Sequence, residues 1–314
     1  MESRPMSLDS AKRLLAANGF EPRAAERIIA TAGLHEGRLK DIAAFDAPAR
    51  VKERVSKYLA IYPPAVVVHA IKSGANLGNN RQMSEIVKSH GKNYLVDHSR
   101  LPPFKRIVPE PCSAWSEKLK DALKSAVSVP AKGQPFPGRL ALKCSGELAS
   151  ETEEGYRKGG FSLVLYPSKE EERRLEKEGA RLDYNYRHEP GSLGFARFYV
   201  NGDRLIVSSV QSDLYRPEWH DSPKTRNAIR RRYKLWGNCL LASLAQMAKN
   251  AGLKEVVMVT AEHQGEKFSM DPQRMFQTYS ELPQSEGFSL FEAKAPTAIL
   301  GKERAKHVFW KKAL

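Results

Sequence analysis

The chain reads as an α/β protein with a mixed, largely antiparallel sheet flanked by helices, preceded by a small helical region. Three observations predict this. Apolar residues recur at helical spacing through residues 7–60, and again at Leu240, Leu241, Leu244, Met247 and Ala248. From residue 138 onward, short β-branched or aromatic runs alternate with helical stretches. Two of those runs are joined by Asn201-Gly202, the strongest short hairpin signal. The expected organisation is a helical N-terminal domain over 1–100, a Pro-rich linker with one helix over 101–137, and an α/β domain over 138–314.

The elements follow in chain order. Ser7 or Asp9 caps a first helix, AKRLLAAN, which Gly19 ends. A second, RAAERIIATA, starts after Pro22 and stops at Gly33. EGRLKDIAAF makes a third, and a fourth starts at Pro48. AVVVHAIKSG and RQMSEIVKSHG are further helical stretches, separated by the loop GANLGNN. Pro102, Pro103, Pro109 and Pro111 break the chain, SEKLKDALKSAV is helical, and VPAKGQPFPG breaks it again. Strands are expected at RLALKCSG and GFSLVLYPS, then a charged helix at KEEERRLEKEGARL. The hairpin FARFYVNGDRLIVSSV follows. A long apolar helix closed by Asn250 and Gly252 leads to the buried strand EVVMVT, and FSLFEAK and KHVFWKKAL close the sheet. The breaker-rich stretches near 102–111 and 130–137 lead to the expectation that residues near 130–314 fold alone.

Composition bounds the function. The 314 residues include 41% hydrophobic residues, enough for a packed core. Lys and Arg number 51 against 36 Asp and Glu, a formal charge of +15. That balance favours an anionic partner: nucleic acid or another polyanion, a phosphorylated cofactor, or a membrane surface. The excess is diffuse, with +9 in 1–135 and +6 in the remainder. The three cysteines, Cys112, Cys144 and Cys239, are far apart, which argues against a disulfide framework and against a metal site. No apolar leader and no 18-residue apolar run is present, so the expectation is a cytoplasmic protein without a membrane partner. The short basic N-terminal helices suit packing against a protein partner, or contact with phosphates.

The densest charge cluster lies ahead of the apolar helix: Arg226, Arg230, Arg231, Arg232 and Lys234, followed by Gly237 and Asn238. Free amides and the macrodipole at a helix start favour an anion, and arginine forks suit phosphate oxygens. The same run also suits a solvated basic face of a helix begun near Lys224. Arg226, Arg230 and Lys234 are the candidate nucleic-acid contacts. Cys239, just inside the helix, has the position of an activated thiol, with His263 as a base. A buried structural cysteine fits its apolar neighbours better. Glu262 and His263 end the strand beginning at Glu255, where α/β folds place ligand crevices, and either can accept a proton from an amine. Asp213 and Tyr215 follow the preceding strand. Tyr279 shares an amphipathic stretch with Met275 and Phe276, the pattern of a core aromatic.

The order strand, basic turn, Arg232-x-x-x-x-Gly237, then Leu240-Leu241 resembles the GNAT acyltransferases, whose fourth strand leads into an Arg/Gln-x-x-Gly-x-Gly/Ala turn and an apolar helix. Tyr279 and Gly287-Phe288 resemble that family's late tyrosine and Tyr-x-x-x-Gly-Phe segment, here stretched by SELPQSE. Leu235 stands where the first glycine of the turn is expected. The resemblance covers roughly 138–314 and implies a GNAT-like sheet and acetyl-CoA or another acyl-CoA as cofactor. Its pyrophosphate would lie at Arg231, Arg232, Gly237 and Asn238. Glu262 or His263 would serve as base, and Tyr279 would protonate the departing thiolate. The implied activity is N-acyl transfer to an amine. The alternative is a non-enzymatic GNAT-like protein that binds nucleic acid or a protein partner through its basic surface. The segment RLIVSSVQSDLYR is also similar to the "EEIQSDWH" segment of large phage-borne polyvalent proteins, which implies a shared fold and a mobile-element origin.

Overall fold

The computed structural model describes residues 6–47, 51–52, 55, 58–59, 64–73, 85, 112–126, 138–144, 160–178, 192–212, 227, 231–261, 276–294 and 306–314. The expected helix over 81–91 therefore lies outside the described residues, except for residue 85, which is helical.

Helix α1 (Leu8–Ala17) starts on Ser7, whose hydroxyl accepts from the Ser10 amide. Pro22 occupies the first turn of α2 (Pro22–Ala32), where its missing N–H costs nothing. Next come α3 (Glu36–Ala43), α4 (Pro64–Lys72) and α5 (Cys112–Ala126). Among the described residues seven strands form one sheet: β1 (Gly138–Cys144), β2 (Phe161–Pro167), β3 (Gly194–Asn201), β4 (Arg204–Gln211), β5 (Glu255–Val259), β6 (Ser289–Lys294) and β7 (Lys306–Ala313). Their spatial order is β1-β2-β3-β4-β5-β7-β6. β1 to β4 pair antiparallel in sequence, and β4 pairs parallel with β5. The mixed, largely antiparallel α/β architecture expected from the sequence is present. Helix α6 (Lys169–Lys177) follows β2, and α7 (Trp236–Asn250) crosses from β4 to β5.

The β3–β4 hairpin departs by one residue from the expected turn. Asn201 pairs with Arg204, so the two turn residues are Gly202 and Asp203, not Asn201 and Gly202. Gly202 takes φ +61°, which a side chain disfavours, and it therefore fixes the turn position.

The chain divides into two compact units. One comprises Val108–Met258, Ser285–Gly287 and Lys311–Leu314. Within it, register places Phe161, Leu163 and Leu165 on one sheet face with Gly194, Ala196 and Phe198. Phe161 and Phe198 stack with centroids 5.5 Å apart. Helix α7 packs on β2 and β3, with Leu240, Leu241, Leu244 and Met247 fully buried. Each such side chain contributes roughly 1.5–3 kcal/mol. The opposite face holds Val164, Tyr166 and Phe195 with Ala141. There the Arg139 guanidinium lies 4.6 Å from the Tyr166 ring centroid and that of Arg197 5.4 Å from Phe195. Helix α7 ends with Gly252 N–H on Lys249 O and Leu253 N–H on Ala248 O, closing the last carbonyls as the Asn250 and Gly252 pattern predicts.

The other unit comprises Met1–Ile107, Val259–Gln284 and Phe288–Trp310. The N-terminal helices therefore share a core with late residues of the chain. Glu292 caps α1 by accepting from the Leu8 amide at 2.8 Å. Thr31 of α2 and Ser280 share a buried hydroxyl contact of 2.8 Å. Residues Gln277–Glu281 form a π-helical turn rather than the expected regular amphipathic helix. In that turn Tyr279 O accepts from the Trp310 indole at 2.7 Å, a long-range partner that compensates the altered ladder.

Candidate functional site

The register of the parallel pair sets the geometry. Arg204, Leu205, Ile206 and Val207 of β4 face Glu255, Val256, Val257 and Met258 of β5. Beyond Val207 and Met258 no further β4–β5 pair is formed among the described residues, although β4 runs on to Gln211. The β3–β4 register shifts at this point: Arg197 faces Ser209 while Phe198 faces Val207, leaving Ser208 as the extra residue. Its hydroxyl donates to Arg197 O at 3.3 Å. A bulge increases local twist and turns the strand end away from its neighbour.

Helix α7 begins at the same end of β4. A Cβ added at Gly194 would lie 2.7 Å from Gln211 O and 2.7 Å from Cε3 of Trp236. Only a glycine lets the indole at the helix start rest against the end of β4 in this way. The C-terminal end of β4 and the start of α7 thus meet.

The turn ahead of α7 holds most of the described candidates. Arg231, Arg232 and Lys234 are exposed. Tyr233 is buried, and its hydroxyl donates to Glu171 Oε2 at 2.8 Å. Burial first, and then that contact, push its phenol well above the ordinary tyrosine value. Arg232 forms an ion pair with the other oxygen of Glu171. Leu235 is the N-cap residue, and its hydrocarbon side chain accepts no hydrogen bond from the first turn. Trp236 N–H donates to Tyr233 O at 3.0 Å, and Cys239 N–H to Leu235 O at 2.9 Å. Gly237 and Asn238 are buried in the first turn. The Asn238 side chain donates to Ser285 Oγ at 3.0 Å and to Glu286 Oε1 at 2.6 Å. Its amide is therefore engaged by the protein, and the Glu286 carboxylate lies at the positive end of the helix.

Cys239 is 4% exposed. Burial pushes its thiol up to about 11; the Ser243 hydroxyl opposes this and the Glu286 carboxylate adds to it. The raised value keeps the thiol protonated at neutral pH, opposite to what a nucleophile needs. The stability that this burial contributes is present below the ordinary thiol value and lost as pH rises through about 11. Labelling of Cys239 by iodoacetamide at pH 7.5 should be slower than labelling of a free thiol; faster labelling would restore the nucleophile reading.

The remaining candidates separate. Tyr279 is 1% exposed on the π-helical turn of the other unit. Arg226, Arg230, Glu262 and His263 lie outside the described residues, as do Asp213 and Tyr215. Among the described residues no cluster of His, Cys, Asp and Glu is placed to hold a metal, and no helix is long and apolar enough to cross a membrane. Sequence reasoning missed Glu171. Ser168 and Glu171 carry the spacing of a helix start, and the Glu171 amide donates to Ser168 Oγ at 3.2 Å. Nothing local connects that carboxylate to Arg232, 61 residues away.

No family model matches the chain, and no curated protein does, so the similarity to the phage-borne segment gains no support. Among solved structures, the crystal structure of a nourseothricin acetyltransferase aligns over 60% of this chain and 92% of its own, with 13% sequence identity and a TM-score of 0.21. At those values the likeness assigns no activity and no residue roles.

Proposed function

We propose that the chain is an acyl-CoA-dependent N-acyltransferase acting on an amine. The observation that carries this reading is the run of β4 past its last partner on β5, Val207 with Met258, with the first turn of α7 against the end of β4 and no side-chain cap on it. A pyrophosphate there would be held by the amides of that turn, with Arg231 and Lys234 adding exposed positive charge. Asn238 would contribute its backbone rather than its side chain. Bound acyl-CoA supplies an acyl group activated as a thioester. Glu262 and His263 are the candidate bases for the amine proton and Tyr279 the candidate donor to the leaving thiolate, roles that only the resemblance implies.

Calorimetry with acetyl-CoA and CoA tests the reading. Binding with a dissociation constant below about 1 mM is expected, in the range of ordinary substrates. Gly237→Val should remove it while the protein still melts cooperatively. No heat at millimolar ligand would sink the enzyme reading. A GNAT-like protein holding nucleic acid or a protein partner through its basic surface would then be the better account. The exposure of Arg231 and Lys234 within a chain of net charge +15 favours that second reading.

A further inference from the structure

Glu171 is a buried carboxylate with both oxygens engaged by the turn that leads into α7, one by the Arg232 guanidinium and the other by the Tyr233 hydroxyl at 2.8 Å. Its own backbone is fixed by the Ser168 cap. A carboxylate this deep is tolerated in ionised form only while it is compensated. Were Arg232 to turn to a ligand phosphate, Glu171 would keep a single phenol donor, and the loss would exceed what a solvent-exposed phosphate contact contributes.

We infer that Arg232 is withheld from any anionic ligand at this turn. Together with Tyr233 it is the tether through which Glu171 positions residues 231–235 ahead of α7. Glu171 is thus a positioning residue, and the side chains that meet the anion are Arg231 and Lys234. This rests on the acyl-CoA reading for the identity of the anion, but not for the tether.

The test uses the full chain. Arg232→Ala and Glu171→Gln should each lower the melting temperature by roughly 5 °C or more. The double variant should lose little beyond the worse single one, because both remove the same interaction. The pair Arg231→Ala and Lys234→Ala should leave melting within about 1 °C. That pair should also weaken CoA binding at least tenfold at low salt and flatten its salt dependence, which a purely structural change would not do. An Arg232→Ala variant that melts normally but binds CoA tenfold more weakly overturns the inference. So does a Glu171→Gln variant that binds CoA more tightly, since Arg232 would then be a ligand fork held back by Glu171. Titration with inorganic pyrophosphate separates the two failures. Binding of pyrophosphate without CoA removes the acyl-CoA reading, and the same variants then judge Arg232 against pyrophosphate. If neither ligand binds, additive melting losses in the double variant overturn the tether and non-additive losses uphold it.

Discussion

Gly194→Ala is expected to lower the melting temperature by roughly 6–12 °C, from about 3 kcal/mol of overpacking. The added methyl would sit 2.7 Å from Gln211 O and 2.7 Å from the Trp236 ring. Neither neighbour yields easily, because one is backbone and the other is a rigid indole at the start of a packed helix. Trp236 must shift, and the first turn of α7 with it. Ligand affinity at that turn should therefore fall in proportion to the disturbance. Combining Gly194→Ala with Trp236→Leu should recover part of the loss by removing the ring while leaving the clash with Gln211 O. A single variant that melts within 1 °C of the parent would show that the strand end and the helix start are not in close contact.

Deleting residues 1–47 is expected to remove the cooperative structure of residues 276–294. Ala11, Leu15, Ile28, Ile29, Leu39 and Ile42 are all fully buried, and their loss strips an entire side of their own unit. The deletion also removes the Leu8 amide that Glu292 accepts and the Thr31 hydroxyl against Ser280. Arg27, whose guanidinium pairs with Glu281 and lies 5.9 Å from the Phe276 ring centroid, goes with them. Hydrogen exchange reads the outcome: amides of Tyr279 and Ser280 should lose protection, while those of β2 and β3 keep theirs. Retained protection at Tyr279 and Ser280 would instead support the expectation that residues near 130–314 fold alone.

These two cases mark where sequence reading succeeds. The boundaries of α2, α7 and β5 follow from a proline at a helix start, from Asn250 and Gly252 at a helix end, and from a β-branched run. Each is a local rule, satisfied within a few residues. The hairpin was legible too, although the Asn-Gly pattern set its turn one residue too early, as the positive φ of Gly202 and the Asn201–Arg204 pair show. The candidate site was legible only as a stretch of elements: a basic turn, Gly237 and an apolar helix between two strands.

By itself, then, the sequence determined the elements, their order, the antiparallel majority of the sheet and the basic turn ahead of α7, because periodicity, breakers and turn residues act over short separations. Only the tertiary structure decided the rest. It gave Arg232 to Glu171, engaged Asn238 with Ser285 and Glu286, turned Gln277–Glu281 into a π-helical turn under Trp310, and grouped the N-terminal helices with residues 259–284 and 288–310. Those choices depend on which buried polar groups and apolar faces come together across many residues of chain. A carboxylate or a carbonyl taken out of water must find its partner wherever the fold supplies one.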